Sequence, residues 1–149
     1  MSGLMPDASQ AVGTKPNQIR GSCLCGAVKF VITSPVRGMG HCHCSLCRRQ
    51  HGAAFSTYCE IDNAAFEIRS GGELLETYPS SETAERVFCR DCGSKLLFRL
   101  HAINDRVWIP AGVLDDDPGV MPGYHIFVAS KAPWYEIEDD LPQYDDWPA

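Results

Sequence analysis

"HCHCSLCRRQHG", residues 41–52, places three cysteines and three histidines in twelve positions. Cys42, Cys44 and Cys47 form C-x-C-x-x-C. Two further clusters flank this one: Cys23 and Cys25 in "CLCGA", and Cys89 and Cys92 in "FCRDCGS". Cys59 stands alone in the apolar stretch "AAFSTYCEI", where a free cysteine reads as a buried small hydrophobe. The fold turns on whether the seven clustered thiols are disulfides, redox groups or metal ligands.

Composition bears on that choice. The chain has 149 residues, 44% of them hydrophobic, which fits one core. Its net charge of -6 and pI near 5.2 repel phosphate backbones, so nucleic acid is not an expected partner. No run approaches the roughly 20 apolar residues that span a bilayer, and no membrane partner is expected. The N-terminal stretch has neither a basic nor a continuous apolar region of the secretory kind. A cytoplasmic location follows as the expectation, and in a reducing compartment clustered cysteines read as metal ligands or catalytic thiols.

Tetrahedral zinc holds neighbouring sulfurs roughly 3.8 Å apart. C-x-x-C on a tight turn meets that spacing, with the following glycine supplying a positive φ as the chain leaves. C-x-C in an extended chain separates the Cα atoms by about 6.6 Å on one side, so the side chains must lean together. Cys23, Cys25, Cys89 and Cys92 then make a closed structural site joining segments far apart in the sequence. Cys42, Cys44 and Cys47 supply three ligands and leave a fourth position open, the usual arrangement of a catalytic zinc. Two zinc ions per chain are expected. His43 alternates with Cys42 and Cys44 and points to the other face of an extended segment, as does His41. His51, four residues after Cys47, is one helical turn away. All three histidines read as supporting groups before ligands.

Three thiolates leave such a zinc with one net negative charge and a poor capacity to acidify water, so hydrolysis is disfavoured. A soft site of this kind suits a fourth thiolate. The expected activity is addition of a small thiol to an electrophile, with His43 or His51 as proton donor. Arg48 and Arg49 are the nearest cations for carboxylates of a thiol substrate. The run Asp115–Asp117 reads as a solvated turn.

Secondary structure reads as mostly β. Strands are expected over 27–32, 53–61, 66–70, within 70–81, and over 85–89, 94–100, 106–114 and 124–130. A short helix is expected over 45–52, with Ser45 as N-cap and Gly52 as terminator. Residues 1–18 read as a disordered tail, residues 19–149 as one zinc-binding domain, and "PWYEIEDDLPQYDDWPA" as a wrapping segment.

"GSCLCGAVKF", "HCHCSLCRRQHGAAF", "FCRDCGSKLLF" and "HIFVASKAPWYEI" resemble the glutathione-dependent formaldehyde-activating enzyme family, which includes centromere protein V. The resemblance runs from about Gly21 to Tyr144. It implies a β-tent fold of several small, coiled antiparallel sheets with zinc knuckles. It implies structural zinc on Cys23, Cys25, Cys89 and Cys92, and a second zinc on Cys42, Cys44 and Cys47 where glutathione acts. The implied activity is that of a carbon–sulfur lyase forming S-(hydroxymethyl)glutathione. His125, Trp134 and Tyr135 match the family pattern. The alternatives are a non-catalytic glutathione or formaldehyde carrier and a structural zinc module for protein contacts.

Overall fold

Strands formed by alternating apolar and polar residues need two layers to bury one face each. In the computed structural model, which describes residues 18–148, those layers are two sheets. The expected tail over 1–18 lies, apart from Gln18, outside the described residues. The smaller sheet has the order β1 (Ile19–Ser22), β2 (Lys29–Ile32), β5 (Phe66–Ser70), all antiparallel. The larger has seven strands. Its order is β10 (His125–Ile126), β3 (Gly38–Cys42), β4 (Ser56–Asp62), β9 (Ile103–Pro110), β8 (Lys95–Leu100), β7 (Ala84–Cys89) and β6 (Leu75–Pro79). The chain is mostly β as expected, and the β10–β3 pair is parallel. Among the described residues no helix is long and apolar enough to cross a membrane.

One face of the large sheet packs on the small sheet. Phe30 and Ile32 of β2 meet Cys59 and Ile61 of β4, Val107 and Ile109 of β9, and Leu96 of β8, all buried. Cys59 is therefore core, and burial pushes its thiol up to about 11. The opposite face carries a second cluster, Cys42, Tyr58, Trp108 and Ile126, with Phe98 packed against it. Alternation in β4 sends Tyr58 to this face and Cys59 to the other.

The helix α1 (Ser45–His51) follows β3 and ends at Gly52, as expected. Its N-cap is Cys44, not Ser45: the Cys44 sulfur accepts the Cys47 backbone N–H at 3.2 Å. The strand expected over 124–130 shortens to two residues, because Phe127 takes φ 58° and turns the chain into a 3-10 turn. β1 and β3 went unread; each is short and glycine-containing and lacks a run of β-branched residues. The 115–117 acids form the expected turn and also staple it to β1. Asp116 accepts from Arg20 Nε and Nη2 at 2.9 and 2.8 Å, and Asp115 from Ser22 Oγ at 2.9 Å. The C-terminal segment returns without helix to lie parallel beside β10, with Gln143 bridged to His125.

The cysteine turns use glycine as the sequence suggests. Gly26 has φ 83° and Gly93 φ 80°, and nothing lies within 4 Å of a Cβ built on Gly93. A substitution there is opposed by backbone strain alone. Gly93→Ala should cost about 1–2 kcal/mol of stability, with Gly93→Asn milder, read from urea unfolding of the zinc-loaded protein. Equal stability of all three would show that the turn does not require the left-handed conformation.

Candidate metal centres and the adjoining cleft

The four-cysteine cluster is assembled by two hydrogen-bonded turns. Gly26 N–H donates to Cys23 O at 3.0 Å, and Gly93 N–H donates to Cys89 O at 2.8 Å. The turns are joined by Leu24 N–H donating to Ser94 Oγ at 2.7 Å. The sulfurs of Cys23, Cys25, Cys89 and Cys92 all lie within 4.8 Å of one another. Cys23 and Cys25 Sγ are 3.6 Å apart, far beyond a disulfide bond and close to the spacing tetrahedral zinc imposes. Cys23 Sγ also accepts the Val28 N–H at 3.3 Å, a contact that suits a thiolate.

Cys42, Cys44 and Cys47 also gather within 4.8 Å. Cys42 ends β3, Cys44 caps α1 and Cys47 lies on its first turn. Hydrogen bonds from the Cys42 and then the Cys47 thiol take Cys44 down to about 2. Hydrogen bonds with Cys44 and then Cys47, followed by burial, push Cys42 far up. Full ionisation of three adjacent sulfurs calls for a cation among them, so both donor sets fit zinc.

The two clusters differ in surroundings. Cys42, Cys44 and Cys47 line a cavity of about 410 Å³, and no lining residue belongs to the four-cysteine cluster. Beside the three sulfurs lies Arg86 of β7, only 3% exposed. Its Nη1 and Nη2 each lie 3.7 Å from Cys47 Sγ. Nη1 also donates to Gln50 Oε1 at 2.9 Å and Tyr58 Oη at 3.2 Å, and Nε to Ser80 Oγ at 3.0 Å. Among the described residues no carboxylate pairs with this guanidinium. A buried cation needs a countercharge, and the Cys47 sulfur is the group placed to supply it.

Sheet register builds the cavity wall. Arg86 pairs with Phe98, and Phe98 with Trp108, in neighbouring strands. That row sets the guanidinium 4.8 Å over the Phe98 ring and Phe98 edge-on to Trp108 at 5.8 Å.

The expected site residues separate. Arg48 and Arg49 sit on α1 but do not line the cavity. His51 does not line it either; its Nε2 lies 3.1 Å from Tyr58 Oη, which does. Burial, then the nearby Arg86 charge, lowers His51 to about 4, so it is neutral at neutral pH; Arg86 Nη1 already donates to Tyr58 Oη, which leaves the phenol O–H to donate to His51 Nε2. His43 lies on the far side of β3 from the sulfurs, fully buried. Its Nε2 meets His125 Nδ1 at 2.8 Å, and His125 Nε2 meets the Asp139 carboxylate at 3.0 Å. The carboxylate only accepts, so His125 Nε2–H donates to it, and the two imidazoles share the hydrogen bond between His43 Nε2 and His125 Nδ1. Burial, then the nearby His125, lowers His43 to about 4, so His43 is neutral and serves to anchor the C-terminal segment. Trp134, which matches the family pattern, is exposed and lines no part of the cavity. Tyr135 packs edge-on to Phe55 at 5.4 Å.

Sequence reasoning missed Arg86 and Tyr58. Arg86 had a signal: it is a charge at an inward position of the apolar strand "ERVFC". Tyr58 had none beyond its place in a strand.

These features coincide with what comparison with known proteins shows. The sequence profile of the glutathione-dependent formaldehyde-activating enzyme family matches residues 18–130. The match includes both cysteine clusters, Tyr58 and Arg86, and ends before "PWYEI". The chain belongs to this family. A Halomonas elongata protein assigned by name to the same family is 30% identical over 127 residues, covering 80% of this chain and 81% of its own. A Schizosaccharomyces pombe protein named as an uncharacterized lyase is 34% identical over 83 residues, 54% of this chain and 57% of that one. The crystal structure of a Rhodobacter sphaeroides protein superposes with a TM-score of 0.56 at 23% identity, covering 66% of this chain and 89% of that one; the likeness is one of fold.

The two clusters should respond differently to loss of a ligand. Cys89 is fully buried and joins strands distant in sequence, whereas Cys44 belongs to a local segment. Cys89→Ser should lower the melting temperature far more than Cys44→Ser, followed by circular dichroism with zinc present. Equal losses would make the three-cysteine cluster structural too.

Proposed function

We propose that the protein is a zinc-dependent carbon–sulfur lyase. Its reaction joins the thiol of glutathione to formaldehyde, giving S-(hydroxymethyl)glutathione. The observation that carries this reading is the three-sulfur cluster opening onto a cavity beside a buried, carboxylate-free Arg86. A purely structural knuckle needs neither an open side nor a countercharge. The family's name and the lyase name of one relative support the same chemistry.

Zinc held by Cys42, Cys44 and Cys47 would supply a soft Lewis acid that favours the ionised form of a substrate thiol. The residues of the chain provide the remainder. Arg86 offsets the negative charge of the cluster through Cys47, so that a further anionic sulfur is tolerated beside it. His51, held neutral by burial and the Arg86 charge, does not store the thiol proton; it orients the Tyr58 hydroxyl. The thiol proton leaves to water in the cleft, and after the sulfur attacks the carbonyl carbon the adduct oxygen takes a proton back from there, with Tyr58 Oη lining the cleft as the hydroxyl that can relay it. The S–H bond and the carbonyl π bond are exchanged for a C–S and an O–H bond, with no change of oxidation state. Holding both reactants in one cavity supplies the main advantage over dilute solution.

Cobalt in place of zinc makes the sulfur count visible. Glutathione should strengthen the sulfur-to-cobalt band, and S-methylglutathione, which has no thiol proton to lose, should not. The pH midpoint of that change should rise by about one unit or more in Arg86→Met, because removing the cation disfavours a second anion. Arg86→Lys should lie between. A spectrum indifferent to glutathione would remove thiol activation at this centre and favour the structural-module alternative.

A further inference from the structure

Formaldehyde is a one-carbon electrophile, and the cleft beside the three sulfurs is far larger than it requires. Past Tyr58 and Arg86 its wall is formed by Phe98, Leu100, Trp108, Tyr124, Ile126 and Trp147. The cleft does not end there. A second cavity of about 480 Å³ shares five of those residues and reaches Ile103 and the Glu60–Arg106 ion pair. The first cavity is a trough that starts at the cysteine sulfurs and runs across the aromatic face of the sheet, and the second adjoins it along the shared wall. The hydroxyls of Ser80, Ser81 and Thr83, in the turn between β6 and β7, belong to the first cavity only, and Ser80 bonds Arg86. Polar groups thus gather at the sulfur end and at the Glu60–Arg106 pair at the far end, and apolar ones line the stretch between.

This wall suits glutathione poorly. Its two carboxylates would find in the first cavity one cation, Arg86, already engaged by Cys47, Gln50, Tyr58 and Ser80. An ionised group laid against aromatic rings loses hydration without gaining a partner. An alkyl or aryl chain on the carbon that meets the sulfur would bury its surface there. We propose, resting on thiol addition at this centre, that the site takes aldehydes bearing medium-length alkyl or arylalkyl substituents in preference to formaldehyde. The substituent lies along the trough from Phe98 toward Trp147. The reaction is RSH + R′CHO → RS–CH(OH)R′: the S–H bond and carbonyl π bond break, C–S and O–H bonds form, and no oxidant is needed.

The test uses the full zinc-loaded chain and a fixed glutathione concentration. Formaldehyde, acetaldehyde, butanal and hexanal are compared by the acceleration of hemithioacetal formation over the uncatalysed rate. Acceleration should climb roughly fourfold per methylene, the ratio corresponding to about 0.8 kcal/mol per buried CH₂. Leu100→Asn, which sets an amide into the wall, should cut the slope below twofold; Trp147→Ala, at a site outside the strands, serves if that variant does not fold. Unreactive hexan-1-ol should quench tryptophan fluorescence and compete with hexanal. A flat or falling series with formaldehyde still accelerated overturns the preference and leaves the proposed lyase intact. A slope unchanged in the wall variants, or no binding of hexan-1-ol, overturns the placement of the chain in the trough. No acceleration of any aldehyde, with no response of the cobalt-substituted protein to glutathione, overturns both readings.

Discussion

Seven sulfurs brought together in two groups are the constraint on which the rest of the molecule depends. Cys23 and Cys25 follow β1, in the small sheet, and Cys89 and Cys92 lie at the end of β7 and in the turn after it, in the large one. As thiolates these sulfurs repel one another, and a cation shared among them would offset that repulsion and hold the meeting point. With it, the two layers are tied at a point 64 residues apart along the chain (from Cys25 to Cys89). The buried faces of β2, β4 and β9 then have a fixed partner, and the opposite face of the large sheet is left to carry chemistry.

The second group shows how one strand serves two purposes. β3 sends Cys42 toward the cleft, and the next residue, His43, lies on its other side. There His43 joins His125 and Asp139 and ties down the C-terminal segment. Period-two geometry makes this separation unavoidable. It also explains why histidines adjacent in sequence to the cysteines are not beside the sulfurs in the way sequence adjacency suggests. The groups at the sulfurs come from elsewhere: Arg86 from β7, and Tyr58 from β4 with His51 behind it.

Much of this was legible in the sequence because it is written in short-range chemistry. C-x-C and C-x-x-C spacing with a following glycine fixes the knuckles locally, and "SLCRRQHG" contains its own helix terminator. The mostly β character follows from alternation in "AVKFVI" and "AAFSTYCEI". What could not be read depends on register between distant strands. Nothing near Arg86 in the chain says that Phe98 and Trp108 continue its row, or that Cys47, 39 residues earlier, supplies its countercharge. Phe127 illustrates another limit. "YHIFVAS" reads as a strand by composition, yet the chain turns at Phe127 into the left-handed region, where its ring meets Trp147 at 5.4 Å. Local propensity yields there to a tertiary contact.

The central claim is that one of the two metal centres is closed and the other has a place for a substrate sulfur. Zinc K-edge absorption counts sulfur neighbours directly. With both sites filled, the claim predicts about 3.5 sulfurs per zinc on average, from one four-cysteine and one three-cysteine site, each sulfur at about 2.3 Å. Saturating glutathione should raise that average to about 4, while S-methylglutathione leaves it unchanged. An average already at 4 without thiol, or one that glutathione does not move, would contradict the account.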